Sequence, residues 1–269
     1  MHTINNSIMY TAVGILMLIF MGNTVTAAII SVPDDYARIQ WAIDNATDGN
    51  TIEVQSGTYY ENLNLNKKLI LRGIGMPVVD AMGNGSTITL FADGISLEGF
   101  TATGSGSYPE AGIRVNSSNN TLTGNNASNN IGNGISMSDS GNNTLIGNNA
   151  SSNKYYGIEL IRSANNILSG NKASNNNNGI YLDDYSDNNS LMDSIANSNN
   201  YHGIKLYFSV NNIMIGNNAS NNLNNGFNLD YSSNNTLRDN VAISNLQEGI
   251  YLSSSGNNTI YNNYFNSRG

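Results

Sequence analysis

The chain has 269 residues, with 19 acidic and 11 basic side chains, a formal charge of −8, no cysteine and three prolines. An acidic balance of this size argues against nucleic acid and anionic lipid as partners, and without cysteine there is neither a disulfide framework nor a thiolate metal site. About one residue in five is Asn, a bias that reads as disorder until its phase is taken into account.

Residues 1–27 carry no Lys, Arg, Asp or Glu, and the mostly apolar run 9–21 leads into the small-residue segment Val25-Thr26-Ala27-Ala28. The run is short for a membrane span and fits the apolar region of a signal peptide spanning 1–27 and cut after Ala27 or Ala28; an uncleaved anchor is the alternative. A secreted or cell-surface location is expected, with no membrane insertion once the signal is removed. From Asp34 the period changes. Tyr36, Ile39, Ile43 and Ala46 fall at helical spacing, Asp34 or Asp35 is placed to cap the helix, and this short helix with Trp41 would cover one open end of a strand stack. Short apolar segments at 51–54, 63–65, 69–71, 78–79, 88–90 and 95–97 read as irregular coils, so that 28–111 forms the helical cap and the entry to a regular array.

Residues 112–269 repeat. Asn pairs stand at Asn119-Asn120, Asn142-Asn143, Asn165-Asn166, Asn188-Asn189, Asn211-Asn212, Asn234-Asn235 and Asn257-Asn258, each 23 residues after the last. Every unit also carries Gly-apolar-x-apolar, from Gly112-Ile113-Arg114-Val115 to Gly249-Ile250-Tyr251-Leu252, while Ala127, Ala150, Ala173, Ala196, Ala219 and Ala242 share another phase. Alternation over so few residues indicates strands, and nothing between them is long enough for a helix. The fold class is therefore all-β: a single-stranded parallel β-helix of about 23 residues per coil, with coils about 4.8 Å apart and equivalent residues stacked. In that register the series Asn130, Asn153, Asn176, Asn199, Asn222 and Asn245 is expected to form a buried ladder of amides bonded to one another, and the Gly before each strand to supply a positive φ at a corner.

Outward positions are those free to act. Between the apolar residues of each strand lie Arg114, Ser136, Glu159, Tyr181, Lys205, Asn228 and Tyr251, and two residues later Ile161, Asp183, Tyr207 and Asp230. Tyr181, Lys205, Tyr207 and Tyr251 are candidates for substrate binding, because aromatic faces beside polar groups suit sugar rings, and the partner expected is a polysaccharide or cell-surface glycan. An ordinary solvated sheet face is the alternative. Asp183, Asp230 and Glu159 are the candidate catalytic carboxylates: two coils separate Asp183 from Asp230 by roughly 9.6 Å, near the range of about 6.5 to 9.5 Å for an inverting glycosidase pair. Gly179 comes 22 residues after Gly157 and Gly203 24 after Gly179, which places an extra residue in Asp183-Asp184-Tyr185-Ser186-Asp187. Asp183, Asp184 and Asp187 on such a bulge are the candidate ligands for Ca²⁺, with a polar loop as the alternative. His202 stands alone at a corner and reads as structural. The C-terminal coil carries no evident cap, which leaves a partner copy as one way to cover it.

The segments Ile39-Gln40-Trp41-Ala42-Ile43-Asp44-Asn45-Ala46, Gly49-Asn50-Thr51-Ile52-Glu53-Val54, Gly57-Thr58-Tyr59-Tyr60-Glu61-Asn62 and Leu71-Arg72-Gly73-Ile74-Gly75 resemble the cap and first coils of right-handed β-helix proteins of the NosD type. Those proteins belong to a wider group of carbohydrate-binding and sugar-hydrolase domains that includes pectin-degrading enzymes, and the later coils resemble the repeats of archaeal cell-surface proteins in that group. The resemblance implies a right-handed coil and four readings of function: a non-catalytic binding module, a polysaccharide hydrolase, lyase or epimerase, a structural spacer, and an accessory protein of copper assembly. The compact Asp-Asp and Gly-His motifs of polygalacturonases and the Asp-Pro-His motif of alginate epimerases are missing. Copper would require gathered thiolate, thioether or imidazole ligands, which this chain does not supply. Sequons such as Asn45-Ala46-Thr47 and Asn84-Gly85-Ser86 fit a glycosylated surface protein.

Overall fold

A computed structural model describes residues 28–267; the signal-peptide expectation lies outside them. The chain winds as a right-handed parallel β-helix of about ten turns with one short helix. One face is an eleven-stranded parallel sheet and a second a nine-stranded parallel sheet. The third face is made by the strands Thr58–Tyr59, Val78–Asp80 and Thr101–Thr103 and continues as single bridges from Thr101 through Asn126, Asn149, Lys172, Ile195 and Asn218 to Val241. Among the described residues no helix is long and apolar enough to cross a membrane.

The register is the repeat made visible. On the eleven-stranded face Thr121, Leu122 and Thr123 pair with Thr144, Leu145 and Ile146; on the nine-stranded face Ile135, Ser136 and Met137 pair with Ile158, Glu159 and Leu160. Stacked Leu122, Leu145, Leu168, Leu191, Met214 and Leu237 fill one side of the interior, and Ile113, Ile135, Ile158, Ile180, Ile204 and Phe227 the other, all buried. The buried Ala series lines the third side.

The Asn pairs divide the work of one corner. The first member, from Asn119 to Asn257, has φ between 55° and 61°, a left-handed conformation that Asn tolerates better than most side chains. The second turns inward. Asn143 Oδ1 accepts the Asn120 backbone N–H at 2.8 Å, and the same bond recurs from Asn143 to Asn166, Asn189, Asn212, Asn235 and Asn258. The Asn130 series forms the expected ladder: Asn199 donates to the Asn222 amide oxygen and Asn222 to that of Asn245, each at 3.0 Å. It also serves the backbone, as Asn176 Oδ1 accepts the Asn153 N–H at 2.8 Å and its Nδ2 donates to the Ala150 carbonyl at 3.0 Å. A third ladder, unforeseen from the sequence, runs through Asn125, Asn148, Asn171, Ser194, Asn217, Asn240 and Asn263. Corner backbone groups that would otherwise be buried without partners are satisfied by these side chains.

Two local expectations are corrected. The Gly before each strand does not adopt positive φ. It permits close approach: a Cβ on Gly157 would lie 2.6 Å from Asn176 Nδ2, 2.7 Å from Ala173 Cβ and 2.7 Å from the Gly179 carbonyl, which also explains why the adjacent phase is Ala. The helix begins at Ile39 and ends at Asn45, with neither Asp34 nor Asp35 as its cap. Instead, the Glu61 carboxylate accepts the Ile39 and Gln40 N–H groups at 3.1 and 3.0 Å, and Lys67 Nζ donates to the carbonyls of Ile43, Asp44 and Ala46. Both helix ends are thus held by side chains of the first coil, with charge signs that suit the helix dipole. Ile39, Ala42 and Ile43 cover the core, while Trp41 points outward at 50% exposure beneath Arg38.

Candidate functional site

The nine-stranded face carries the chemistry. Its strands Ala111–Val115, Asn133–Ser138, Tyr156–Ile161, Asn178–Asp183, Ile204–Tyr207 and Phe227–Asp230 stack Arg114, Ser136, Glu159, Tyr181, Lys205 and Asn228 in one row. These outward residues are more enclosed than an ordinary sheet face allows: Ser136, Glu159, Tyr181 and Asn228 are buried and Arg114 and Lys205 half-buried. The cover comes from aromatic side chains at the two edges. Tyr108 lies 5.2 Å from Tyr155 and 6.1 Å from Tyr156, and Tyr156 meets Tyr181 edge to face at 5.1 Å. On the opposite edge Phe208 stacks on Tyr231 at 4.8 Å, with Tyr207 edge-on to Phe208 at 4.6 Å.

Glu159 is therefore not part of an open patch. It is 1% exposed, and one of its oxygens accepts from Asn133 Nδ2 at 2.7 Å and Ser136 Oγ at 3.1 Å. Burial, reinforced by the charge of Asp183 and opposed by those two donors, pushes its carboxyl up to about 7. Asp183 is half-buried and is raised chiefly by burial, against the Tyr181 hydroxyl beside it. Burial with the nearby carboxylates pushes Tyr156 up to about 12 and raises Tyr181 further. Lys205 Nζ lies 5.2 Å from the Tyr181 ring centroid and 5.4 Å from that of Tyr207, within reach of the ring quadrupoles.

Tyr181, Lys205 and Tyr207 are thus brought together. Tyr251 shares the face, one coil beyond Asn228, at 41% exposure. Asp183 and Asp230 flank the coil that bears Tyr207, while Glu159, on the coil before Asp183, is near enough to feel its charge. The extra residue lies where the spacing places it: Asp184 and Tyr185 both take positive φ, whereas the equivalent corners of neighbouring coils have only Arg162 or Phe208 there. The bulge does not gather its acids. Asp184 pairs with Arg162 at 3.0 Å, Asp187 accepts the Val210 N–H at 2.7 Å, and Asp183 turns to the face. Among the described residues no three His, Cys, Asp or Glu side chains are grouped to hold a metal ion.

Two cavities open on this face. One of about 450 Å³ lies among Asn62, Asn64, Ser86, Phe91, Glu110 and Arg114, where Arg114 is paired to Glu110 at 3.3 Å. The other, about 310 Å³, is lined by Tyr156, Asn177, Asn178, Tyr201, His202 and Lys205. Tyr156 and Asn178 escape sequence reasoning, and His202 reads there as structural, because strict alternation gives each the inward phase of the Ile two residues later. The edge aromatics Tyr108, Phe208 and Tyr231 have no signal in the alternation, because corners and loops deliver them.

Residues 155–269 match the family described as periplasmic copper-binding protein (NosD), and residues 86–209 match the right-handed β-helix region. Each match spans less than half of the chain, so it is a resemblance to these families, carried on a right-handed β-helix. A cell surface glycoprotein of Methanothermus fervidus is 39% identical over 92 residues, which span 32% of this chain and 16% of that protein. The pectate lyase Pel9A aligns with 91% of this chain and 80% of its own at 17% identity and a TM-score of 0.64. The A-module of the Azotobacter vinelandii mannuronan C-5 epimerase AlgE4 aligns over 89% and 95% at 15% identity and a TM-score of 0.62. At those identities the two structures establish the fold alone. The donor set does not fit copper: the sequence has no Cys, His202 is the one imidazole among the described residues, Met137 and Met214 are sealed in the core, and the exposed Met76 and Met82 stand several coils before His202.

Proposed function

We propose that this β-helix protein is an extracellular, non-catalytic module that binds glycans along its nine-stranded face. The observation that carries the reading is the enclosed row of Tyr156, Tyr181, Lys205 and Tyr207 between aromatic edges, which offers ring faces and polar groups side by side. Its likeness to a cell surface glycoprotein and to a periplasmic family supports a location outside the cytoplasm. The test is retention of the purified protein on a panel of neutral and acidic polysaccharides, with and without Ca²⁺, against Tyr207→Ala. Retention lost with the ring supports the module; no retention on any glycan refutes it.

A second reading, a polysaccharide hydrolase, lyase or epimerase, draws on one observation: Glu159, held near 7 beneath Tyr156, suits an acid or base at neutral pH. Following reducing ends and unsaturated uronate absorbance in the same incubations separates the two, because an enzyme forms product that disappears with Glu159→Gln or Asp183→Asn.

A further inference from the structure

Building on the glycan-binding reading, we propose that the cavity beside Lys205 is a subsite for a sugar that carries a carboxylate. At about 310 Å³ it lies at the small end of ligand cavities, suited to one sugar unit of a longer chain. Two tyrosines, Tyr156 and Tyr201, give it ring faces, and Asn177 and Asn178 give it amides.

Its charge is set by Lys205. This ammonium is half-buried and, among the described residues, enters no ion pair, although the protein carries 19 acidic side chains. The tyrosine rings on either side fix its position, and Asp183, outside the cavity lining, feels its charge without forming an ion pair with it. A partly desolvated cation held in this way is poised for an anion from outside.

The rest of the lining is neutral and holds two buried polar atoms without partners. His202 is 9% exposed and its Nδ1 has no partner in the protein; Asn177 Oδ1, on the same lining, has none either. Burial, with the nearby Lys205 charge, pushes the imidazole down to about 4, so at neutral pH it adds hydrogen-bonding capacity without adding charge. One fixed cation with neutral polar groups and ring faces matches a monocarboxylate sugar. A phosphate would call for more positive charge than a single ammonium.

The experiment measures binding of a glucuronate oligomer and a glucose oligomer of equal length by isothermal titration calorimetry. The wild-type protein is expected to prefer the glucuronate oligomer by about tenfold or more. Lys205→Met should erase that preference while leaving the glucose oligomer unaffected, Lys205→Arg should keep most of it, and Lys172→Met, on the third face, should keep all of it. Equal binding of both oligomers, or a preference that survives Lys205→Met or falls equally with Lys172→Met, overturns the subsite and leaves the glycan-binding face standing. Failure of both oligomers and of the polysaccharide panel overturns the face as well. Unchanged thermal unfolding of Lys205→Met excludes loss of fold as the cause.

Discussion

Replacing Asn176 by Ala tests whether the ladders hold the coils together. The side chain accepts the Asn153 N–H at 2.8 Å and donates to the Ala150 carbonyl at 3.0 Å, all three residues being buried. Truncation strands one donor and one acceptor where water has no access, at about 1–3 kcal/mol for each group, so the loss should be about 2–6 kcal/mol. Asn263 makes the same two bonds, to the Asn240 N–H and the Leu237 carbonyl, but is only half-buried. Water can replace it, and Asn263→Ala should cost well under half as much. Equilibrium urea unfolding by circular dichroism reads the difference, and hydrogen exchange at the Asn153 amide localises it. A loss below about 1 kcal/mol for Asn176→Ala, with the Asn153 amide still protected, would refute the account of what holds the corners.

Gly157→Ala should destabilise by several-fold more than Gly147→Ala, measured in the same unfolding assay: the first Cβ meets three atoms within 2.7 Å, the second meets open space and bears only the cost of φ +61°, about 1 kcal/mol. The folded protein binds the Glu159 proton more tightly than the unfolded chain, so the stability this proton lends is fully present below about pH 4.5 and is lost as pH rises through about 7. Glu159→Gln should remove that slope and leave the protein more stable than wild type at pH 8 by up to roughly 3 kcal/mol; equal pH profiles for the two proteins would contradict the burial argument. Tyr207→Ala should weaken glycan retention without a comparable fall in melting temperature, because the ring is half-buried on the surface of the coil and not in its core.

The coil was readable because its constraints recur. Asn119-Asn120 alone is an unremarkable dipeptide, but seven copies at one interval fix both the stack and the phase that turns inward. The Gly positions were read correctly as special and wrongly as to cause, since contact with the Asn176 amide and the Gly179 carbonyl depends on how far apart two coils sit, which spacing along the chain does not encode. The same limit governs the site. Alternation placed Tyr181, Lys205 and Tyr207 on one face, but could not tell that Glu159, at the same phase, lies under Tyr156 and Tyr108, because those covering rings come from a neighbouring phase and from a loop before the array. The helix cap failed for a related reason: Glu61, 22 residues from Ile39, outcompetes the local Asp35, whose carboxylate accepts the Ser31 N–H instead.

The Asn ladders have a direction. In all three, the side-chain oxygen of one coil accepts the N–H of the coil before it, as Asn148 does for Asn125 and Asn199 for Asn176. These corners are therefore completed by the coil that follows, whereas the Ser128, Ser151 and Ser174 hydroxyls accept N–H groups of the next coil, so that neighbouring turns complete one another in both senses. The outward row is joined from coil to coil as well, Ser136 to Glu159 and Lys205 over Tyr181, so that each address on that face is set together with its neighbour.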